Sequence, residues 1–182
     1  MTLLDQMRAV VTPHRSQEER TRARNLACAL ALDCEWLSEV VRHHVSIEQA
    51  LEAVRVARAT SDRLRALHWL VILLTGHSLA EQAVLYPAMA LERQRAHALS
   101  AYADESTVKI ELAALQAMDP MTPDFVDKLE RLRTDLAYHL HEEECLWYPA
   151  LFRGAERQEH ARLSACFGAE FRRYMGVDAD LL

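Results

Sequence analysis

Glycine and proline, which build tight turns and interrupt helices, are scarce, with only 4 and 5 among 182 residues. Alanine, leucine, arginine and glutamate are abundant instead, and these residues favour helices. No stretch alternates apolar and polar residues with a period of two for long enough to form a strand. The sequence therefore predicts an all-α protein, and its length suits one domain with an appended helix.

Long apolar runs are also missing. The run from Trp69 to Leu74 is far shorter than the roughly 18 to 20 residues that span a bilayer. The first residues lack the apolar stretch and cleavage site of a signal peptide. The four cysteines form no Cys-x-x-Cys pair, so we expect them to be mostly small buried apolar residues. These absences predict a reduced, cytoplasmic protein without a membrane partner.

The sequence has no excess of basic residues. Its formal net charge is −6 and its pI is near 5.8. Nucleic acids and anionic membranes attract basic surfaces, so this balance argues against both as main partners.

Helix start and stop signals divide the chain into amphipathic segments. The expected landmarks, in chain order, are a capping box at Ser16 and Glu19, a break near Asp33, a cap at Thr60-Ser61-Asp62 for a helix that runs to about Pro87, a helix from about Leu91 to Ala117, a fourth from Thr122 and Pro123 to about Tyr148, and a last one from about Glu156 to Met175. Four core helices with accessory helices at either end are the natural assembly.

One motif occurs twice, sixty-two residues apart. His77 and Glu81 begin the first copy, and His139 and Glu143 begin the second; each pair is followed by four residues and Tyr-Pro-Ala. Histidine and glutamate four residues apart lie on one face of a helix, so both can reach one metal ion. Two such helices that face each other would supply two imidazoles and two carboxylates, as in dimetal sites in bundle cores. The alternative is an internal duplication whose pairs bind no metal.

The paired motifs resemble the hemerythrin-like (HHE cation-binding) domain family, over about Trp36 to Phe152. The resemblance implies an antiparallel up-down four-helix bundle over residues 34–155. Residues 1–33 would form an N-terminal accessory helical segment, which covers the bundle or makes a dimer contact, and residues 156–182 a C-terminal accessory helix. The resemblance leaves open whether the protein is a monomer or a homodimer.

The resemblance also implies a ligand set. Glu81 and Glu143 would bridge two irons, His77 and His139 would be terminal ligands, and the first bundle helix would add one histidine. His44 fits best, because its neighbours one turn away are mainly apolar, and His43 is the second choice. Manganese, zinc or a single ion remain alternatives to two irons, because imidazole and carboxylate accept them all.

The third bundle helix departs from the family pattern. Ser106 stands where the family has a histidine, and a neutral hydroxyl is a poor iron ligand. Water or substrate would fill the open position, or a neighbouring side chain would reach it. The candidates are Tyr102 and Lys109, one turn either side of Ser106, and, as alternative ligands, Glu105 and His97.

The implied function is that of a non-haem diiron protein that reacts with or binds O₂, peroxide or nitric oxide. An open coordination position favours an oxidoreductase-like activity over storage. The alternatives are a carrier or sensor of O₂, nitric oxide or iron without turnover, and a scaffold with a vestigial site. We expect Tyr86 and Tyr148 to pack the helix ends, and His14, His68, His141 and His160 to be structural or exposed.

Overall fold

The structure is a computed structural model that describes residues 15–92 and 94–176, and all regular elements in these ranges are helical. In chain order they are α1 (Gln17–Ala31), α2 (Glu35–Val56), α3 (Thr60–Ala80, continued by Glu81–Leu85 and Tyr86–Leu91), α4 (Arg95–Gln116), α5 (Pro123–Glu142, continued by Glu143–Trp147 and Tyr148–Gly154) and α6 (Arg157–Met175). The accessory segments were expected to include residues 1–14, with His14, and 177–182, which lie outside the described residues.

Helices α2 to α5 form an antiparallel four-helix bundle, and the two accessory helices cover it. Helix α1 packs on α2 and α5, and α6 packs on α2 and α3. Gly76 permits the close approach of α6, because a Cβ atom there would lie 2.8 Å from Cδ1 of Tyr174. The all-α bundle with extra terminal helices is therefore confirmed. Over the described residues, no helix combines the length and hydropathy needed to cross a bilayer.

Most helix ends fall where the sequence predicts them. Ser16 and Glu19 form the reciprocal hydrogen bonds of a capping box, and the hydroxyl of Thr122 caps α5. The cap predicted at Thr60 was wrong, because the extended residue that precedes α3 is Ala59 and no side chain caps it. The prediction for the cysteines holds only for Cys34, which is buried, whereas Cys28 is exposed and the other two are intermediate.

Both copies of the repeated motif contain one turn of π-helix. The turns span Glu81–Leu85 and Glu143–Trp147, and in each the amide that closes the turn donates to the carbonyl of the motif glutamate five residues earlier. The Tyr-Pro that follows each wide turn does not end the helix, which continues to Leu91 in α3 and to Gly154 in α5. Each proline lies in the first turn after the wide turn, a position that tolerates a residue without an N–H.

Two apolar clusters fill the bundle, and a buried polar layer separates them. One cluster contains Trp36 and Phe167, and the other contains Ile47 and Phe125. Along every bundle helix, the apolar stripe passes from one cluster to the other through buried polar residues. These are His43 and His44 on α2, His77 and Glu81 on α3, Glu105 on α4, and His139, Glu143 and Glu144 on α5.

Candidate metal centre

Four side chains from three bundle helices meet in the polar layer. His44 comes from α2, His77 and Glu81 come from α3, and Glu143 comes from α5. One ligand atom of each lies within 4.8 Å of the corresponding atoms of the other three, and all four residues are at most 1% exposed. Two imidazoles and two carboxylates brought together in this way form a donor set suited to a transition-metal ion.

The two oxygens of Glu143 face different imidazoles. Oε2 lies 3.3 Å from Nε2 of His44, and Oε1 lies 3.3 Å from Nε2 of His139. Glu81 makes the equivalent contact on α3, with Oε1 3.2 Å from Nε2 of His77. Glu143 therefore lies between one group of donors that contains His44 and His77 and a second group that contains His139.

Tyr86 places its hydroxyl among the donors of the second group. The hydroxyl donates to Oε1 of Glu143 at 3.1 Å and to Oε2 of Glu81 at 3.4 Å, and it lies 3.4 Å from Nε2 of His139. The hydroxyl of Tyr148 donates to the same Glu143 oxygen at 2.9 Å and to Oε1 of Glu81. Both tyrosines, expected only to pack helix ends, are thus buried partners of the motif carboxylates.

The π-helical turns explain why sequence reasoning missed the tyrosines. Each tyrosine follows its motif glutamate by five residues, and in an α-helix that spacing places two side chains about 140° apart. A turn closed by an i to i+5 hydrogen bond brings them onto one face instead. The signal in the sequence was the repetition of Tyr-Pro at the same distance from both glutamates.

Helix α4 contributes Glu105 to the polar layer rather than Ser106. Glu105 is 2% exposed and accepts a hydrogen bond from Gln82, whereas Ser106 is exposed and donates to the backbone carbonyl of Tyr102. Glu105, which the sequence analysis gives as an alternative ligand, continues the buried stripe of Ala101 and Val108. The inward position that the resemblance assigned to Ser106 therefore belongs to a carboxylate.

The other α4 candidates lie at the edge of the centre. Tyr102 packs its ring against Tyr86 and donates to the backbone carbonyl of Gln82. Lys109 is 38% exposed, and its Nζ lies 3.8 Å from Glu105. His97 is not among the clustered residues.

The two histidines of α2 both pack against the ring of His77 but differ in their other neighbours. His44 is fully buried, and its Nδ1 lies 2.7 Å from Oε1 of Glu144. His43 points toward α6, where its ring centroid lies 3.9 Å from that of Phe171. The geometry therefore favours His44 over His43 as the α2 donor.

Within residues 15–92 and 94–176, the remaining histidines lie outside the buried polar layer. His160 accepts a hydrogen bond from Nε1 of Trp36 at 3.0 Å, and His68 is exposed. His141 is half-buried beside Glu142 and Cys145, where Glu142 already pairs with Arg15 at 2.6 Å.

Burial and neighbouring charges pull the pKa values of the clustered groups apart. Burial lowers the pKa of His44, but its interactions with Glu143 and Glu144 outweigh this and raise it to about 9. Burial and the nearby histidines lower the pKa of His77 well below its usual value. Burial, followed by repulsion from Glu143, raises the pKa of Glu81 well above the usual range. Burial also acts to raise the pKa of Glu143, but attraction to His139 and contact with His44 lower it overall.

His43 should make the metal-free protein less stable in acid. Burial, followed by repulsion from His44, lowers its folded-state pKa from 6.5 to about 3, so the unfolded chain takes up a proton below pH 6.5 that the folded chain does not. The stabilisation present above pH 6.5 is therefore lost as the pH falls. Between pH 7 and pH 5, wild type should lose about 2 kcal/mol more unfolding free energy than His43→Leu.

The measurement is urea unfolding of both proteins with a chelator present. The leucine substitution alters packing equally at both pH values. The comparison is therefore between the change in unfolding free energy from pH 7 to pH 5 in the variant and the same change in wild type. Equal pH dependence in the two proteins would contradict this assignment.

Several buried ligand atoms at the centre have no hydrogen-bond partner within the described structure. They are Nε2 of His44, both ring nitrogens of His77, Nδ1 of His139, Oε1 of Glu105 and Oε2 of Glu143. Nε2 of His44 and Oε2 of Glu143 are close but not aligned for a hydrogen bond. Unsatisfied buried polar atoms cost free energy, and native proteins rarely keep so many together. The donor set is therefore that of a bundle protein with a buried histidine–carboxylate metal site.

A family comparison specifies this class further. The model of the hemerythrin HHE cation binding domain matches residues 37–151, which is well over half of the chain. The chain therefore belongs to the hemerythrin HHE cation-binding family. No curated protein and no solved structure matched the chain. Helices α1 and α6 lie outside the matched residues.

Proposed function

We propose that this protein holds two iron ions in the polar layer and uses them to react with O₂ or peroxide. The observation that carries the proposal is the position of Glu143, whose two oxygens face imidazoles of two different donor groups. A carboxylate placed in this way is suited to bridge two metal ions. Among the partnerless buried atoms, Nε2 of His44, Nε2 of His77 and Oε2 of Glu143 are ones that a metal would satisfy.

The first metal position would be held by His44, His77, Glu81 and Glu143, which are the four clustered residues. His44 and Glu143 lie 3.3 Å apart, and His77 and Glu81 lie 3.2 Å apart, so the members of each pair are close enough to bind one ion.

The second metal position would be held by His139 and the other oxygens of Glu81 and Glu143. The hydroxyl of Tyr86 lies 3.1 to 3.4 Å from these three donor atoms, which again fits donors of one ion. We therefore propose Tyr86 as a donor here, with Glu105 as the carboxylate available from α4. No open position due to Ser106 is needed.

The donor set favours redox chemistry over reversible carriage. Iron supplies electron transfer and binding of O₂, peroxide or nitric oxide. Carboxylate and phenol oxygens are harder donors than imidazole and favour the ferric state. On the protein side, the ring of Trp147 packs 5.8 Å from that of His139, and that of Phe167 lies 6.3 Å from that of His77. These aromatic side chains restrict the access of water to the donors.

The test begins with protein loaded with ferrous iron under anaerobic conditions. We expect close to two irons per chain by metal analysis, and rapid O₂ release or consumption of peroxide when peroxide is added. Air oxidation should also produce visible phenolate-to-iron absorption that is absent from Tyr86→Phe. Reversible O₂ uptake without turnover would instead indicate a carrier, and a wild-type protein that takes up no metal would overturn the proposal.

A further inference from the structure

A row of charged side chains connects the accessory helix α1 to the candidate metal centre. Nε of Arg24 donates to Oε1 of Glu144 at 2.6 Å. The same oxygen lies 2.7 Å from Nδ1 of His44. The row therefore runs from α1 through α5 to α2, and it ends on a donor of the first metal position.

The contact between Glu144 and His44 determines which ring nitrogen is free for a metal. An imidazole that binds a metal through Nε2 keeps its proton on Nδ1, and a carboxylate that accepts this proton fixes the ring orientation and makes the ligand more basic. Glu144 is in position to accept it. Nε2 of His44 then faces Oε2 of Glu143 at 3.3 Å.

Arg24 provides the charge that makes a buried Glu144 tolerable. Glu144 is 3% exposed and adjacent in sequence to the buried Glu143, and a buried carboxylate is costly unless a cation accompanies it. The guanidinium of Arg24 also donates to Oε2 of Glu48 on α2 at 3.2 Å. Arg24 thus ties α1 to both helices on which Glu144 and His44 lie.

We propose that Arg24 is a positioning residue of the metal centre, which holds Glu144 as the hydrogen-bond acceptor for His44. The inference rests on the proposed function, because it concerns the affinity of the same metal site. Arg24 lies outside the residues matched by the family model, 37–151, so this contribution belongs to the accessory helix. By linkage, metal occupancy must strengthen the packing of α1 as much as Arg24 strengthens metal binding.

The first test compares metal affinities of variants of the full chain. Ferrous iron alone is titrated anaerobically against a competing chelator. Arg24→Gln and Glu144→Gln should each bind iron roughly tenfold or more weakly than wild type, because substitution of residues that hold a metal ligand by hydrogen bonds commonly has an effect of this size. Arg24→Lys keeps the charge and should recover most of the affinity. The matched control is Arg22→Gln on the same helix. Arg22 is exposed, and in the described structure it forms an ion pair with the exposed Glu18.

The second test measures hydrogen exchange of the α1 amides with and without iron. Iron should slow exchange in wild type and in Arg22→Gln, but much less in Arg24→Gln. A purely structural Arg24 would speed exchange equally in both states. If Arg24→Gln loses its helical circular dichroism, it is unfolded, and the iron affinities of Glu144→Gln and Arg24→Lys test the role of Arg24 instead.

The outcomes separate the two proposals. Wild-type protein that binds no iron overturns the proposed function and this inference with it. If wild type binds iron, and the folded Arg24→Gln and Glu144→Gln variants bind it with equal affinity, then only the role of Arg24 is overturned. The same holds if iron slows α1 exchange equally in wild type and Arg24→Gln.

Discussion

Replacement of Glu143 by alanine should abolish metal binding. Glu143 contacts His44, His139 and both tyrosine hydroxyls, so its loss removes an oxygen donor from both proposed metal positions. We expect the metal content to fall from about two irons per chain to near zero, with an apparent affinity at least roughly a hundredfold weaker. Metal analysis after anaerobic loading and desalting measures the effect.

The matched control is Glu130→Gln on the same helix. Glu130 is 41% exposed and pairs with Arg133 at the surface, where ion pairs contribute little, so this variant should keep the wild-type iron content. Glu81→Ala should resemble Glu143→Ala, because Glu81 also contributes to both positions. Retention of full iron by both alanine variants would mean that the two motif glutamates are not the ligands.

Replacement of Glu81 by glutamine should stabilise the metal-free protein while weakening metal binding. The pKa of Glu81 is raised well above 4.5 by burial and by repulsion from Glu143. The folded protein therefore holds a proton that the unfolded chain releases as the pH rises above 4.5, and stability is lost over that range at up to about 1.4 kcal/mol per pH unit. Glutamine has nearly the same shape, cannot ionise, and keeps an oxygen that can accept from Tyr148.

Urea unfolding with a chelator present measures this effect. At pH 5 the unfolding free energies of wild type and Glu81→Gln should be close, and at pH 7 the variant should be more stable by on the order of 2 kcal/mol. With iron present the order should reverse, because binding stabilises only the protein that holds the metal. A glutamine variant that is less stable than wild type at pH 7 without metal would show that Glu81 is not an uncompensated buried carboxyl.

Such a trade-off is expected of a metal site formed before the metal arrives. Glu81 and Glu143 share one buried hydrogen-bond network through the hydroxyl of Tyr148. Without a cation this arrangement costs stability, and the buried His77 cannot offset this cost, because burial lowers its own pKa. The apolar clusters on either side supply the stability that tolerates the polar layer.

The repeated motif carried most of the information that could be read without a structure. Histidine and glutamate four residues apart share a face of any helix, so the pairing of His77 with Glu81 and of His139 with Glu143 depends only on helical geometry. The capping box at Ser16 and the cap at Thr122 are equally local, because each is formed by residues three apart in sequence. The structure confirms these local features.

Two of the errors concern residues whose orientation depends on neighbouring helices. Ser106 was placed inward by analogy with the family, yet the α4 stripe that packs on the bundle contains Glu105. Tyr86 and Tyr148 were placed at helix ends, because an α-helical period cannot show that both helices widen after the motif glutamate. In both cases the helix is oriented about one residue differently from the expectation, and a different side chain therefore faces the centre.

The sequence by itself determined that the chain is helical, that it carries two matching imidazole–carboxylate pairs, and that these pairs suit a metal. Local spacing and composition suffice for this, because they act within one or two turns of a helix. Only the tertiary structure decided that Glu143 lies between two donor groups, that Tyr86 and Tyr148 join them, and that Arg24 reaches His44 through Glu144. These contacts join residues up to 120 positions apart, and their geometry is determined by helix packing rather than by any local pattern.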